Sequence, residues 1–199
     1  SSGSYQFAST LDFGKTYDVN IQRRLQTFAY LPDSLWDSKL GLIDDWSSID
    51  DTNIDQVNAS VQVRTTTDNP SGSPTWSVWT DFSNATIRGR GLQFRLNATS
   101  NDTAQNIIIR QLGVLVEMQQ RIEQSATLTS SAGTYTVTFA NAFYQTPSIG
   151  ITSGNMATGD YFTIASVTTT GFQVTFKNSS GSAVSRQFTY TAIGFGRAV

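Results

Sequence analysis

The chain has 199 residues, about 1.3 times the ~150 of a single-domain prior, so one large or two small domains are both open. Its 13 basic and 15 acidic residues make up only 14% of the chain, against roughly 25% in an average soluble domain, and Ser, Thr, Asn and Gln take the place of Lys and Glu. The net charge of −2 provides no basic stripe for phosphates and speaks against nucleic-acid binding. Cys and His are both absent, which excludes disulfides, thiolate catalysis, the Ser-His-Asp triad and most zinc sites. No run reaches the ~18 apolar residues of a transmembrane helix.

In chain order, Ser1-Ser2-Gly3-Ser4 carries neither an initiator Met nor a signal-peptide pattern and reads as the cut edge of a longer chain. Val19, Ile21, Leu25, Ala29 and Leu31 share one parity, the period-two pattern of a strand with alternate side chains on a core. An acidic cluster follows: Asp44, Asp45, Asp50, Asp51 and Asp55, interleaved with Trp46, Ile49 and Ile54. Hard oxygen donors at this spacing suit calcium, but the EF-hand glycine and closing glutamate are missing. A solvated loop is therefore the favoured reading, with no metal assigned. Paired carboxylates also serve glycoside hydrolysis, although adjacency in sequence does not establish the required separation.

Val57, Ala59, Val61 and Val63 predict a second strand, ended by the turn Asp68-Asn69-Pro70-Ser71-Gly72. Trp76 and Trp79 come next, and indole faces stack on sugar C–H surfaces. Their opposite parity puts one in the core and one at the surface if the segment is a regular strand. Leu92, Phe94, Leu96 and Ala98 predict a third strand, and Ser100-Asn101-Asp102 a turn. Residues 107–122 fit both a helix and a strand; consecutive isoleucines and two valines, stiff at χ1, favour the strand.

The polar stretch 119–125 reads as a connector. Ten basic and fourteen acidic residues lie in 1–125, whereas Lys177, Arg186 and Arg197 face Asp160 alone in 126–199. That shift places the domain boundary, giving domains 1–125 and 126–199. In the second, Tyr135, Val137 and Phe139, then Phe172, Val174 and Phe176, then Phe188, Tyr190 and Ala192 alternate with polar residues, with turns at 153–155 and 178–181. The loop Asn155-Met156-Ala157-Thr158-Gly159-Asp160-Tyr161-Phe162 is a further candidate binding element. Asp160 there either accepts bonds from sugar hydroxyls or pairs with Arg186. Many short strands between Gly, Asn and Ser turns indicate an all-β protein, here two consecutive antiparallel sandwiches. About six strands fit the last 74 residues. A domain that small gains stability by associating, and weakly charged faces cost little to desolvate. Phosphate-loop, dinucleotide, zincin and nucleophile-elbow motifs are all missing. The five Asn-X-Ser/Thr sequons are what a chain so rich in these residues produces.

The run Gly133–Gly196 resembles the C-terminal end of bacteriophage host-specificity (central tail-fibre, lambda-J-like) proteins. The residues that carry it are Gly133-Thr134-Tyr135-Thr136-Val137-Thr138-Phe139, Ala142-Phe143, Thr146-Pro147, Asn155-Met156-Ala157-Thr158-Gly159-Asp160-Tyr161, Gly171-Phe172, Val184-Ser185-Arg186 and Gly194-Phe195-Gly196. The layout is also similar to the six-stranded, trimer-forming H-type lectin sandwich. Upstream, Leu42-Ile43-Asp44-Asp45-Trp46, Val63-Arg64-Thr65-Thr66, Trp76-Ser77-Val78-Trp79 and Leu92-Gln93-Phe94-Arg95 resemble the jelly-roll module that precedes it in such proteins. The resemblance implies a non-enzymatic, extracellular component of the virion tail, without cofactor or membrane insertion. It implies a homotrimer that touches a host-surface glycan or outer-membrane protein, the alternative being a purely structural or trimerising module. An enzyme degrading capsule polysaccharide through aspartate pairs is the third class, and the long repeats of such spikes are not seen here. The candidate ligand-binding residues are Asn155, Asp160, Tyr161, Arg186, Trp76 and Trp79.

Overall fold

The computed structural model describes residues 1–30, 41–42, 56–103 and 105–199. The protein is all-β, 61% strand, with antiparallel sheets packed against each other. Among the described residues, no helix is long and apolar enough to cross a membrane. The chain divides into two compact units, Ser1–Gly14 with Asn20–Glu117, and Lys15–Val19 with Met118–Val199.

The first unit contains β1 (Ser2–Gln6), most of β2 (Leu11–Tyr30), β3 (Val57–Thr66), β4 (Thr80–Asp81), β5 (Asn84–Ser100) and β6 (Asn106–Glu117). They form one sheet of order β4-β3-β5-β2-β6, with β1 also paired to β5. The alternation read from the sequence is the alternation observed: Val61 and Val63 of β3 and Leu92, Phe94 and Leu96 of β5 are buried on one face. Phe82 packs its ring 5.9 Å from that of Phe94. The segment that fitted both periods is strand from 106 to 117, paired with β2 from Asn20↔Glu117 to Tyr30↔Asn106.

The second unit is a two-layer sandwich. One sheet has the order β10 (Ser148–Ser153), β13 (Gln187–Phe195), β7 (Gln120–Gln124), with β8 (Leu128–Thr129) also on β13. The other has β11 (Tyr161–Ala165), β12 (Gly171–Lys177) and β9 (Thr134–Thr138). Phe172, Val174 and Phe176 face Phe188, Tyr190 and Ala192 across the layer, with Phe139 and Phe143 filling the end of the core. The rings of Phe172 and Tyr190 lie 5.3 Å apart and those of Phe176 and Phe188 5.4 Å apart, within the range of favourable aromatic pairs.

The stretch 119–125, expected as a connector, is instead the edge strand β7, paired to β13 from Gln120↔Phe195 to Gln124↔Thr191. Its inward side chains are charged and its outward one apolar, so the usual signal is inverted. Arg121 lays its guanidinium 3.7 Å from the Phe143 ring centroid and donates from Nη2 to the Asn141 carbonyl at 2.7 Å. Glu123 Oε1 accepts from the Tyr190 hydroxyl at 2.9 Å. Burial, and then that carboxylate, push the Tyr190 phenol up to about 12.

Candidate functional site

The most developed polar arrangement of the first unit lies on the outer face of β3 and β5. Because Val61, Val63, Leu92, Phe94 and Leu96 point inward, Gln62, Arg64, Gln93 and Arg95 must point outward. Register pairs them crosswise, Gln62 with Arg95 and Arg64 with Gln93. Gln93 Oε1 accepts from Arg64 Nε at 2.8 Å and Nη2 at 2.6 Å. Gln62 Oε1 accepts from Arg95 Nε at 2.6 Å.

The chain between the Asp68–Gly72 turn and β4 then lays two indoles against these arginines. Ser77 donates its N–H to the Thr65 carbonyl at 2.9 Å and accepts from the Thr65 N–H on its hydroxyl at 3.0 Å, which pins the segment to β3. Asp68 Oδ2 accepts from the Thr75 N–H at 2.8 Å. Arg64 Cζ lies 5.0 Å from the Trp76 ring centroid and 4.7 Å from that of Trp79. Arg95 Cζ lies 4.6 Å from Trp79. The result is an alternating series, Trp76–Arg64–Trp79–Arg95, in which each cation–π contact contributes about 0.5–2 kcal/mol depending on exposure.

This corrects the expectation that one tryptophan is core and the other surface. Residues 74–79 belong to no strand, so strand parity does not govern them, and both indoles are half-buried and engage the same guanidinium. Arg64, Arg95 and their glutamine partners were not singled out from sequence, although their outward parity was readable there.

In the second unit, Asp160 and Arg186 are partners of one another, and Asn155 is bound to the backbone beside Arg186. Asn155 Oδ1 accepts from the Gln187 N–H at 2.7 Å. Asp160 Oδ2 accepts from the Ala157 N–H at 2.8 Å, from Arg186 Nε at 2.6 Å and from Arg186 Nη2 at 2.5 Å. Of the two readings of Asp160, pairing with Arg186 is the observed one. Only 2% of its side chain is exposed, against 20% for Arg186. Gly159, at φ +83°, adopts a conformation that side chains resist, and a methyl there would lie 2.8 Å from Ser179 Cβ. Tyr161 is left exposed beside this closed staple.

The Ala157 N–H, and then Arg186, hold the Asp160 carboxyl below its ordinary value of 3.8. The contribution is therefore complete above that value and is lost as pH falls from it toward the lowered one. Asp160→Asn is expected to flatten this acid limb, read as the urea midpoint between pH 5 and pH 2; an unchanged limb would assign the acid sensitivity to other carboxylates.

Asp44, Asp45, Asp50 and Asp51, the weak metal candidates, lie with Asp55 outside the described residues. Among the described residues, no group of three or more metal-ligating side chains occurs. Compared with known proteins, the chain matches no family model, no curated protein and no solved structure.

Proposed function

We propose that the chain is a receptor-binding module of a phage tail fibre, exposed at the virion tail, that attaches to saccharide on the host surface. The observation that carries this reading is the outer face of β3 and β5, where two half-buried indoles stand beside the amides of Gln62 and Gln93 and two guanidinium groups. Indole rings offer flat apolar area to the C–H face of a sugar, while amides and guanidiniums select its hydroxyls. The likeness of the 133–196 run and of the Trp76–Trp79 segment to host-specificity proteins supports the same role. An outer-membrane protein is the other receptor class this role admits. Weak single contacts, multiplied over three copies of a homotrimer, would give avidity for a repetitive glycan.

A glycan array probed with the purified chain is the test. Binding to at least one surface polysaccharide is expected, and Trp79→Ala should weaken it at least tenfold. No signal on any glycan or host envelope fraction overturns the reading.

A second reading, a structural or trimerising module, is favoured by one observation. Ile122, Ile193 and Phe195 are 58%, 40% and 47% exposed on the outer face of the β10-β13-β7 sheet, where Ile193 and Ile122 are register partners. Light scattering at micromolar concentration separates the cases: a strict monomer removes both this reading and the avidity.

A further inference from the structure

We infer that the Trp76–Arg64–Trp79–Arg95 face takes an acidic saccharide, one whose sugars carry a carboxylate, in preference to a neutral one. The inference rests on the saccharide-binding reading above and names the chemical class of the ligand.

The argument starts from how the arginines are held. Three guanidiniums elsewhere among the described residues are matched with acids, Arg90 with Asp12 at 2.9 Å, Arg121 with Glu123 at 3.4 Å and Arg186 with Asp160, whereas Arg197 donates from Nε to the neutral Asn141 amide oxygen at 3.1 Å. Arg64 and Arg95 are of the second kind. Each is oriented by a glutamine carbonyl, a neutral acceptor that fixes direction without cancelling charge, and among the described residues neither has a carboxylate within ion-pair distance. Asp81, on the same face because it is the register partner of Gln62, accepts from the Ser60 hydroxyl at 2.8 Å. Two positive charges are thus kept on a patch of a chain whose net charge is −2.

The donor geometry then selects the ligand. Stacking occupies the faces of a guanidinium and leaves its edge, where the N–H groups lie in plane. Arg95 spends Nε on Gln62, so the Nη1 and Nη2 edge is available as a two-pronged donor. Arg64 spends Nε and one Nη on Gln93, leaving Nη1. A carboxylate matches the two-pronged edge with two parallel bonds. The indoles withdraw the guanidiniums partly from water, which strengthens attraction to an anion, and they offer apolar area to the sugar ring that bears the acid.

The experiment uses the full chain with uronic-acid oligomers (polygalacturonate, alginate and hyaluronate), each as the free acid and as its methyl ester, and follows tryptophan emission and calorimetric affinity. At least one free acid should bind at least tenfold tighter than its ester, with an affinity that falls as salt rises. Arg95→Lys, which keeps the charge and loses the fork, should weaken binding at least fivefold, and Arg95→Gln further. Arg90→Gln, five residues along β5 from Arg95 and paired to Asp12, should leave binding unchanged. Circular dichroism confirms that each variant is folded. Equal binding of acid and ester overturns the inference while leaving a saccharide site intact. Full affinity in Arg95→Lys, or equal binding of dextran sulfate, reduces the patch to unspecific charge and overturns it too. Binding of neutral glycans alone on the array does the same; silence of the whole array removes the reading beneath it.

Discussion

Phe143→Ala is expected to lower the unfolding free energy of the second unit by about 3–5 kcal/mol, the usual cost of deleting a buried phenylalanine ring. Phe143 is fully buried, with the Phe139 ring edge-on at 5.1 Å and the Arg121 guanidinium 3.7 Å from its centroid. Its loss leaves a cavity and removes the aromatic face from a guanidinium that is only 16% exposed, a poorly solvated charge. The neighbouring glycine gives a sharper form of the prediction. A methyl at Gly194 would sit 2.7 Å from Phe143 Cδ1 and 3.1 Å from Pro147 Cβ, so Gly194→Ala alone overpacks. In the double variant that clash with the ring is gone and the methyl takes up part of the cavity, so the two losses should sum to more than the measured total. Trp76 and Trp79 lie in the first unit, so the second is followed by hydrogen exchange over residues 134–195. Strictly additive losses would mean that the ring and the glycine are not in contact.

The parts of the fold that were legible are those where one rule sufficed. Period-two alternation found β3, β5, β9, β12 and β13, because each has one apolar face on a core and one polar face outward, and turn residues at 68–72 and 178–181 bounded them. β7 was illegible for a definite reason: Arg121 and Glu123 point inward and Ile122 outward, with the charges met by each other, Asn141, Tyr190 and the Phe143 ring while Arg121 Nε stays unbonded. No local pattern announces partners 20 and 67 residues away. The Trp–Arg series failed similarly. Its tryptophans were visible, but the arginines that order them come from two other segments, and the segment bearing them has no regular period. The Asp160–Arg186 pair was legible as one of two options, since the single acid of a nearly uncharged stretch has only Lys177, Arg186 and Arg197 there to pair with.

Gly171→Ala is expected to cost roughly 3 kcal/mol or more, at or above the upper end of the 1–3 kcal/mol typical of overpacking. The reason is the atom it meets. A methyl at this position would stand 2.1 Å from the Val137 carbonyl oxygen and 3.3 Å from Thr138 Cα, and backbone in a sheet cannot swing aside as a side chain does. Gly171 is the register partner of Thr138 at the end of the β9–β12 pair, and its own carbonyl accepts from the Thr168 N–H at 2.8 Å. Next to it, Thr170 and Thr169 carbonyls accept from the N–H groups of Phe139 and Phe143 at 2.9 and 2.8 Å. Separating β9 from β12 to admit the methyl therefore strains three backbone bonds and shifts two core rings. Gly154→Ala, whose methyl meets nothing within 4 Å, is the matched control and should stay within about 0.5 kcal/mol of the parent protein. Urea unfolding followed by hydrogen exchange in β9 and β12 reads both variants. Equal midpoints for the two would show that β9 and β12 are not held at this close approach, and the packing assigned to the core beneath them would have to be redrawn.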